Sequence, residues 1–220
     1  MTLTLAQELP AFTDSLPPLV GLHGFPRTGK DTAATTLIIN HGYKRIALAD
    51  PIREGLLALD PWVRAGDWSE YSDINRYHAR WQQYPYTITP RRLSALIDEL
   101  GWDGVKSSPI WRFETRVLPQ RFGTEFGRET LWDSFWLDVA ERRMLDTGHV
   151  VITDVRFPNE AEWIRSKDGL LINIVRPGYG AVNNHASETV IECDEILHND
   201  SDVDTLLARL QELVLKHGKD

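Results

Sequence analysis

The stretch "LVGLHGFPRTGKDTAATTLI" (residues 19–38) sets the fold. It opens on a compact apolar run, Leu19 to Gly24, and crosses a loop bounded by Gly24 and Gly29. From Lys30 it enters a helical pattern that reaches His41 and stops at Gly42, a natural C-terminal cap. Glycine at both ends of the loop lets the backbone take positive φ and come close to a ligand, with its N–H groups converging at the positive end of the next helix. Strand, glycine-bounded loop, lysine and helix in that order read as a phosphate-binding loop, the alternative being a plain glycine-rich turn. Gly24, Phe25, Pro26, Thr28 and Gly29 form its walls, and Lys30 supplies a mobile point charge for the β- and γ-phosphates of a nucleotide.

After that lysine the common pattern G-x-x-x-x-G-K-[ST] has a hydroxyl, whereas this chain has Asp31. A carboxylate beside phosphate oxygens is repelled unless it faces Mg2+ or one of its waters. Mg2+ commonly takes one or two carboxylates together with phosphate oxygens, which makes Asp31 and Thr32, with its hydroxyl one residue later, the metal candidates. The alternative is that Asp31 only favours the helix N-terminus electrostatically. Arg27, inside the loop, can reach phosphate oxygens and stabilise charge on a phosphoryl group in transfer.

The remainder of the chain agrees with a small-ligand protein. It has 220 residues, 42% of them hydrophobic, and a net charge of −8. A protein that grips a nucleic-acid backbone is normally basic, so this balance argues for a small ligand held by a local cluster of positive residues. The single Cys193 allows no internal disulfide and suits a reducing cytosol. No Cys/His spacing suggests zinc, and no apolar run is long enough to cross a bilayer. Residues 1–18 lack the basic start and long apolar stretch of a secretory signal and read as a lead-in ending at Pro17-Pro18.

Strand-like and helix-like segments alternate through the rest, the mark of an α/β sheet with helical crossovers. Strands are expected at 19–24, 44–49, 149–155, 170–176 and 194–199, giving a five-stranded parallel sheet. Asp50 reads as the cap of a helix with Pro51 in its first position. Residues from about 60 to 148 break the alternation and read as a helical insertion into a domain spanning 19–220. Within it, Thr89 reads as a cap with Pro90 in the first turn. Ser108-Pro109 opens a second helix reaching roughly Phe126, and 133–148 forms a third. A further helix from Pro158 is expected to close at Gly169.

Asp154 ends the buried run "VVITDV", where a phosphate loop usually finds its acidic partner near the metal; a helix-capping or turn role is the alternative. No water-activating Glu follows it, and no N-K-x-D is present, so transfer to a second molecule fits better than hydrolysis. The acceptor is expected on the insertion, where "RVLPQRFGTEFGRETLW" gathers Arg116, Gln120, Arg121, Glu125, Arg128 and Trp132. Guanidinium groups suit bidentate phosphate recognition, and Gln and Trp can bond to and stack on a base. The plainer reading makes Arg121–Glu125 a surface ion pair and Trp132 core.

The segments "GKDT" (29–32), "ADPIRE" (49–54), "QRFGTEFGR" (120–128), "VITDVRFPNEAE" (151–162), "IVRPG" (174–178) and "HASE" (185–188) resemble, in order, those of the deoxynucleoside monophosphate kinases of tailed bacteriophages. That family also carries Asp after the loop lysine and Arg before the final Gly-Lys pair. The resemblance implies a three-layer P-loop kinase fold like that of adenylate kinase. It further implies transfer of the ATP γ-phosphate to a deoxynucleoside monophosphate, with Mg2+, in supply of phage DNA synthesis.

Carried over by position, Lys30, Arg27, Asp31, Asp154 and Arg156 serve catalysis, the last two at the junction of the substrates. Arg176 and Asn199 join the loop residues and Thr32 on ATP, and the "NNHASE" segment forms a small lid. Asp50, Arg53, Gln120, Arg121, Glu125, Arg128 and Trp132, with Arg116, form the deoxynucleotide site. Arg53 stands where relatives often have lysine. Pro119 costs a helix-interior hydrogen bond and should kink its helix. The expected partners are ATP and a deoxynucleoside monophosphate, with no nucleic acid and no membrane; a homodimer is left open. The expected location is the cytoplasm, that of the host if the protein is phage-encoded.

Two other readings compete. One is a different small-molecule P-loop kinase, acting on dephospho-coenzyme A or phosphomevalonate. The other takes residues 89–114 as a helix–turn–helix of a DNA-binding regulator, although its second helix is no more basic than its first.

Overall fold

β1 (Leu19–His23) is the middle strand of a five-stranded sheet. Around it run β2 (Lys44–Ile46), β5 (Val150–Val155), β6 (Leu170–Val175) and β7 (Glu195–His198), in the order β2-β5-β1-β6-β7. Every pairing in this sheet is parallel. The computed structural model describes residues 16–65, 89–145, 147–180 and 191–218. The lead-in through residue 15 and the expected lid at 183–188 lie outside them.

The described chain divides into two compact units. One comprises the residues up to Leu48 and from Leu137 onward; the other is Ala49–Trp136. The first holds the sheet. Val20 and Leu22 of β1 pack with Ala33, Ala34 and Leu37 of α1 (Lys30–His41) and with Leu206, Leu210 and Val214 of α7 (Val203–Lys216). Leu19 faces the other way. It joins Val150 and Ile152 of β5, Leu137 and Ala140 of α5 (Phe135–Met144), and Ala161 and Ile164 of α6 (Pro158–Arg165). Helices on both faces of a parallel sheet make three layers and leave β1 no solvent face. That is why it reads as an unbroken apolar run.

The local signals predict α1 end to end, since Gly42 takes φ 67 and closes it. β2 is shorter than expected. It stops at Ile46, and the Leu48 N–H is bonded by the Asp154 carboxylate. α6 ends at Arg165, before Gly169: Asp168 takes φ 54, and the Gly169 N–H returns to the Ile164 carbonyl.

The second unit is built on α2 (Asp50–Leu59), α3 (Leu93–Ser107) and α4 (Arg112–Arg121), around Leu56, Leu93, Leu96, Val105 and Trp111. Several expected caps are corrected here. α2 starts from Ala49 in helical conformation, so Asp50 lies inside the first turn and its carboxylate bonds to Arg53 instead of capping. Thr89 and Pro90 do not open α3. Arg91–Arg92 form β4, an antiparallel partner of β3 (Trp62–Val63), and the helix begins at Leu93. Its Ser94 N–H is capped by the Asp60 carboxylate at 2.8 Å, and its Leu93 N–H reaches the Pro61 carbonyl.

Ser108 accepts from the N–H groups of Ile110 and Trp111, and α4 starts only at Arg112. Pro119 stays inside α4. Soon after it the helix widens into π turns over Phe122–Leu131 in place of α-helix to Phe126. Proline removes one i→i−4 bond and crowds the preceding turn, and the helix absorbs this without ending at Pro119.

Candidate active site

The turn from β1 to α1 is made by Gly24 (φ 139), Arg27 (φ 66) and Gly29 (φ 99). A Cβ on Gly24 would stand 2.5 Å from the Ile174 carbonyl oxygen of β6, so both the dihedral and the space require glycine. Lys30 folds back along this loop, its Nζ donating to the carbonyls of Gly24 at 2.7 Å and Phe25 at 2.8 Å. The Thr28 hydroxyl donates to the same Phe25 carbonyl. Burial lowers the Lys30 ammonium to about 8, the nearby Arg156 guanidinium adds to the effect, and Asp31 and Asp154 work against it. An anionic phosphate beside it would favour the charged form and raise that value again.

Two residues expected on the nucleotide brace the loop from its main chain. Arg176 donates to the Arg27 carbonyl at 3.2 Å and lies over the Tyr179 ring. Asn199 donates its amide to the Thr28 carbonyl at 2.8 Å, while its own N–H is held by the Val175 carbonyl. Asp31 and Thr32 are exposed in the first turn of α1, and Asp31 lies 3.4 Å from Arg45 Nε on β2. Phe25 is half-buried, and Pro26 is exposed.

At the end of β5, Asp154 is half-buried and accepts the Leu48 N–H at 2.8 Å. It does not cap α6. Glu160 does so, accepting the N–H groups of Arg156 at 2.6 Å and Phe157 at 3.1 Å. Among the described residues no cluster of three or more Asp, Glu, His or Cys side chains forms a metal cage. Asp31, Thr32 and Asp154 offer individual oxygen donors. So sparse a set suits Mg2+ held largely by phosphate oxygens, and not a cation bound by protein alone.

In the second unit most of the expected acceptor residues have a local partner. Arg53 reaches Asp50 at 3.4 Å and stands over the Trp102 ring at 5.7 Å. Arg116 donates to the Lys106 carbonyl. Gln120 is half-buried in the last turn of α4. Arg121 and Glu125 form a surface ion pair at 2.9 Å, with 67% and 52% of their side chains exposed. The Arg128 side chain is only 8% exposed and lies 3.6 Å from the Asp133 carboxylate. Trp132 is half-exposed and stacks edge-on against Phe135, so it is not a core residue.

Comparison with known proteins adds the decisive observation. The chain is 31% identical to the deoxynucleoside-5'-monophosphate kinase of Escherichia phage T5, over 82% of this chain and 87% of that one. It belongs to the deoxynucleotide monophosphate kinase family. A model of that family matches residues 105–210, which include the π-helical segment, Asp154 and Asn199. A putative deoxynucleotide monophosphate kinase of Acanthamoeba polyphaga mimivirus is 28% identical, over 87% of this chain and 93% of its own. The chain is thus a kinase with a three-layer α/β fold. No described helix is long and apolar enough to cross a membrane.

For this family member, sequence reasoning passed over two residues at the loop. Arg45 is the partner of Asp31. His23 ends β1 directly before Gly24 and is almost fully buried, with Nδ1 2.9 Å from the Val155 carbonyl. Burial holds its imidazole below the usual value, and Lys30 and Arg156 depress it further. Its signal in the sequence is a polar ring closing an otherwise apolar strand.

Proposed function

We propose that this protein transfers the terminal phosphoryl group of ATP, taken with Mg2+, to the 5'-phosphate of a deoxynucleoside monophosphate, giving ADP and the deoxynucleoside diphosphate. The observation that carries this reading is the half-buried Lys30 ammonium, anchored on two carbonyls of a glycine-bounded loop with Asp154 and Arg156 beside it. The names of the phage and mimivirus relatives support the choice of acceptor. Their source also favours action in the cytoplasm of an infected host.

The acceptor phosphate is already an anionic nucleophile, so no strong general base is needed. One of its oxygens bonds to the γ-phosphorus as the bridging bond to ADP breaks. Catalysis then consists of alignment and neutralisation of charge. The loop backbone from Gly24 to Gly29 and Lys30 bind the β- and γ-phosphates, and Arg27 and Arg156 neutralise the group in transfer. Mg2+, when bound, withdraws charge from the phosphate oxygens, and Asp31 and Thr32 are the residues that would hold it or its waters. Arg176 and Asn199 keep the loop in shape and border the ATP site. In the unit Ala49–Trp136, we assign the acceptor to Asp50, Arg53, Arg116, Gln120, Arg121, Glu125, Arg128 and Trp132.

The test is a coupled assay with ATP and Mg2+ against each deoxynucleoside monophosphate and its ribose counterpart. Deoxynucleotides are expected to be turned over, and Lys30→Met to lower kcat/KM by about 10²–10³-fold through loss of a charge aimed at the transferring group. No transfer to any deoxynucleotide, or full activity in Lys30→Met, would remove the proposal.

A further inference from the structure

Parallel pairing between β1 and β5 runs in step from Leu19↔Val150 to Gly21↔Ile152 and then slips, since the next pair is His23↔Val155. One residue of β1, Leu22, therefore stands opposite two of β5, Thr153 and Asp154. The extra residue is a bulge, and it falls at the carboxylate assigned above to the phosphoryl site. Bulges re-aim the side chain they carry, and they leave local backbone without its ladder partner.

The segment after the bulge is held by side chains. Asp154 is tied to the Leu48 N–H, and the N–H groups of Arg156 and Phe157 are tied to Glu160. The Val155 carbonyl is held at 2.9 Å by Nδ1 of His23. A carbonyl only accepts, so Nδ1 carries the proton of this bond. The ring is almost fully buried at the last residue of β1, whose other neighbour in register is Asn173 of β6. The following residue, Gly24, starts the phosphate loop and presents the carbonyl on which Lys30 rests. One side chain thus fixes the distance between the start of the loop and the strand end bearing Asp154 and Arg156.

We propose that His23 is a positioning residue for phosphoryl transfer: its Nδ1–H bond to the Val155 carbonyl locks the β5 bulge so that Asp154 and Arg156 face the phosphate loop. The proposal rests on the kinase reading for its catalytic consequence, although the bond itself does not. His23→Asn keeps a donor N–H near the Nδ1 position, whereas His23→Gln moves it out by one carbon and His23→Leu removes it. With ATP and a deoxynucleoside monophosphate, Asn is expected to keep kcat within about threefold of the parent. Gln and Leu are expected to lose about tenfold or more in kcat, with the dissociation constant of ATP changed by less than about threefold.

Separately, a long-range 1H–15N spectrum of the histidine rings should show His23 as the neutral Nδ1–H tautomer, a readout that needs no activity. If the parent transfers no phosphoryl group but the tautomer is as stated, the functional reading fails and the bond stands. The inference is overturned by an Nε2–H tautomer, by Gln or Leu matching Asn in kcat, or by ATP affinity falling in parallel with kcat. Should Leu fail to fold, the Asn–Gln pair decides. If neither of those folds, the role is structural and the positioning inference is lost.

Discussion

The loop of the first unit and the arginine-rich insertion of the second both carry positive charge, but they hold it by different means. Around the loop, Lys30, Arg176, Asn199 and His23 all bond to main-chain carbonyls. These bonds tie the loop's main chain to the first residue of α1 and to the residues that follow β6 and β7, so the site is organised before a ligand arrives. In the insertion, Arg121 leans on Glu125 in a mostly exposed pair and Arg53 on Asp50 in a partly exposed one, side chain to side chain, although Arg116 and Arg128 also donate to the carbonyls of Lys106 and Asp133. Exposed pairs of this kind contribute about 0–1 kcal/mol and can be exchanged for a ligand at little cost. Damage to the loop should therefore strike chemistry, and damage to the insertion should strike acceptor affinity.

The largest expected effect belongs to Gly24→Ala. Its Cβ would collide with the Ile174 carbonyl at 2.5 Å from a backbone at φ 139, so the loop must shift. Misplacing reacting groups by about 1 Å costs on the order of 10²-fold, and a loss of at least that size in kcat/KM is expected, with nucleotide binding weakened in parallel. Retention of activity in this variant would mean that the loop is not the preorganised part of the molecule.

Next comes Arg128, the insertion's well-buried guanidinium. Arg128→Ala should raise the deoxynucleotide KM about ten- to thirtyfold, the worth of a charge-assisted hydrogen bond, and leave the ATP KM alone. Arg121→Ala, on an exposed pair, should change stability by less than about 1 kcal/mol. A larger loss of stability there would erase the contrast between the two regions.

The same contrast explains what the sequence conveyed. Features set by neighbours within a few residues were readable. α1 runs from the loop lysine to the glycine at 42, and β1, β5 and β6 emerge as apolar runs, with β7 as a short strand, near their expected limits. Features set across the chain were not. The cap of α3 is Asp60, 34 residues before the N–H it binds, so Thr89 was the better local candidate and still the wrong one. The pair β3–β4 has two residues per strand, too few for any periodicity. Asp154 was visible as an acid ending a strand, but the bulge that aims it and the imidazole that holds the bulge exist only once β1 and β5 are in register. For Arg176 and Asn199, residue type gave no hint that the partner would be a loop carbonyl.

A smaller effect should appear on titration. The half-buried Lys30 ammonium is lowered to about 8 in the free protein, against an ordinary 10.5. Between those values the unfolded chain binds the extra proton, so this residue's contribution to stability rises with pH across that window. Phosphate binding needs the charged form and moves the opposite way, weakening about tenfold from pH 7 to pH 9. Comparing parent with Lys30→Met isolates both slopes, by ATP titration for one and by denaturant melts for the other. A flat ATP affinity across that range in the parent would show that the ammonium is not the group the triphosphate meets.

A last test probes the insertion from within. Trp136 donates its indole N–H to the Gly123 carbonyl at 2.7 Å and packs its ring against Phe135 and Phe122. Trp136→Phe keeps an aromatic ring at that position but removes the donor and part of a buried ring system, at a cost of about 2 kcal/mol, or about 4–8 °C in Tm for a domain of this size. Gly123 belongs to the π-helical segment that also carries Arg128, so any functional change should appear as a modest rise in deoxynucleotide KM. Because Lys30 and its carbonyl partners lie in the other unit, the ATP KM and the pH dependence of ATP binding should not move. A rise in the ATP KM as large as that for the deoxynucleotide would mean that the insertion and the loop respond as one body, and the division of labour argued from their bonding would be wrong.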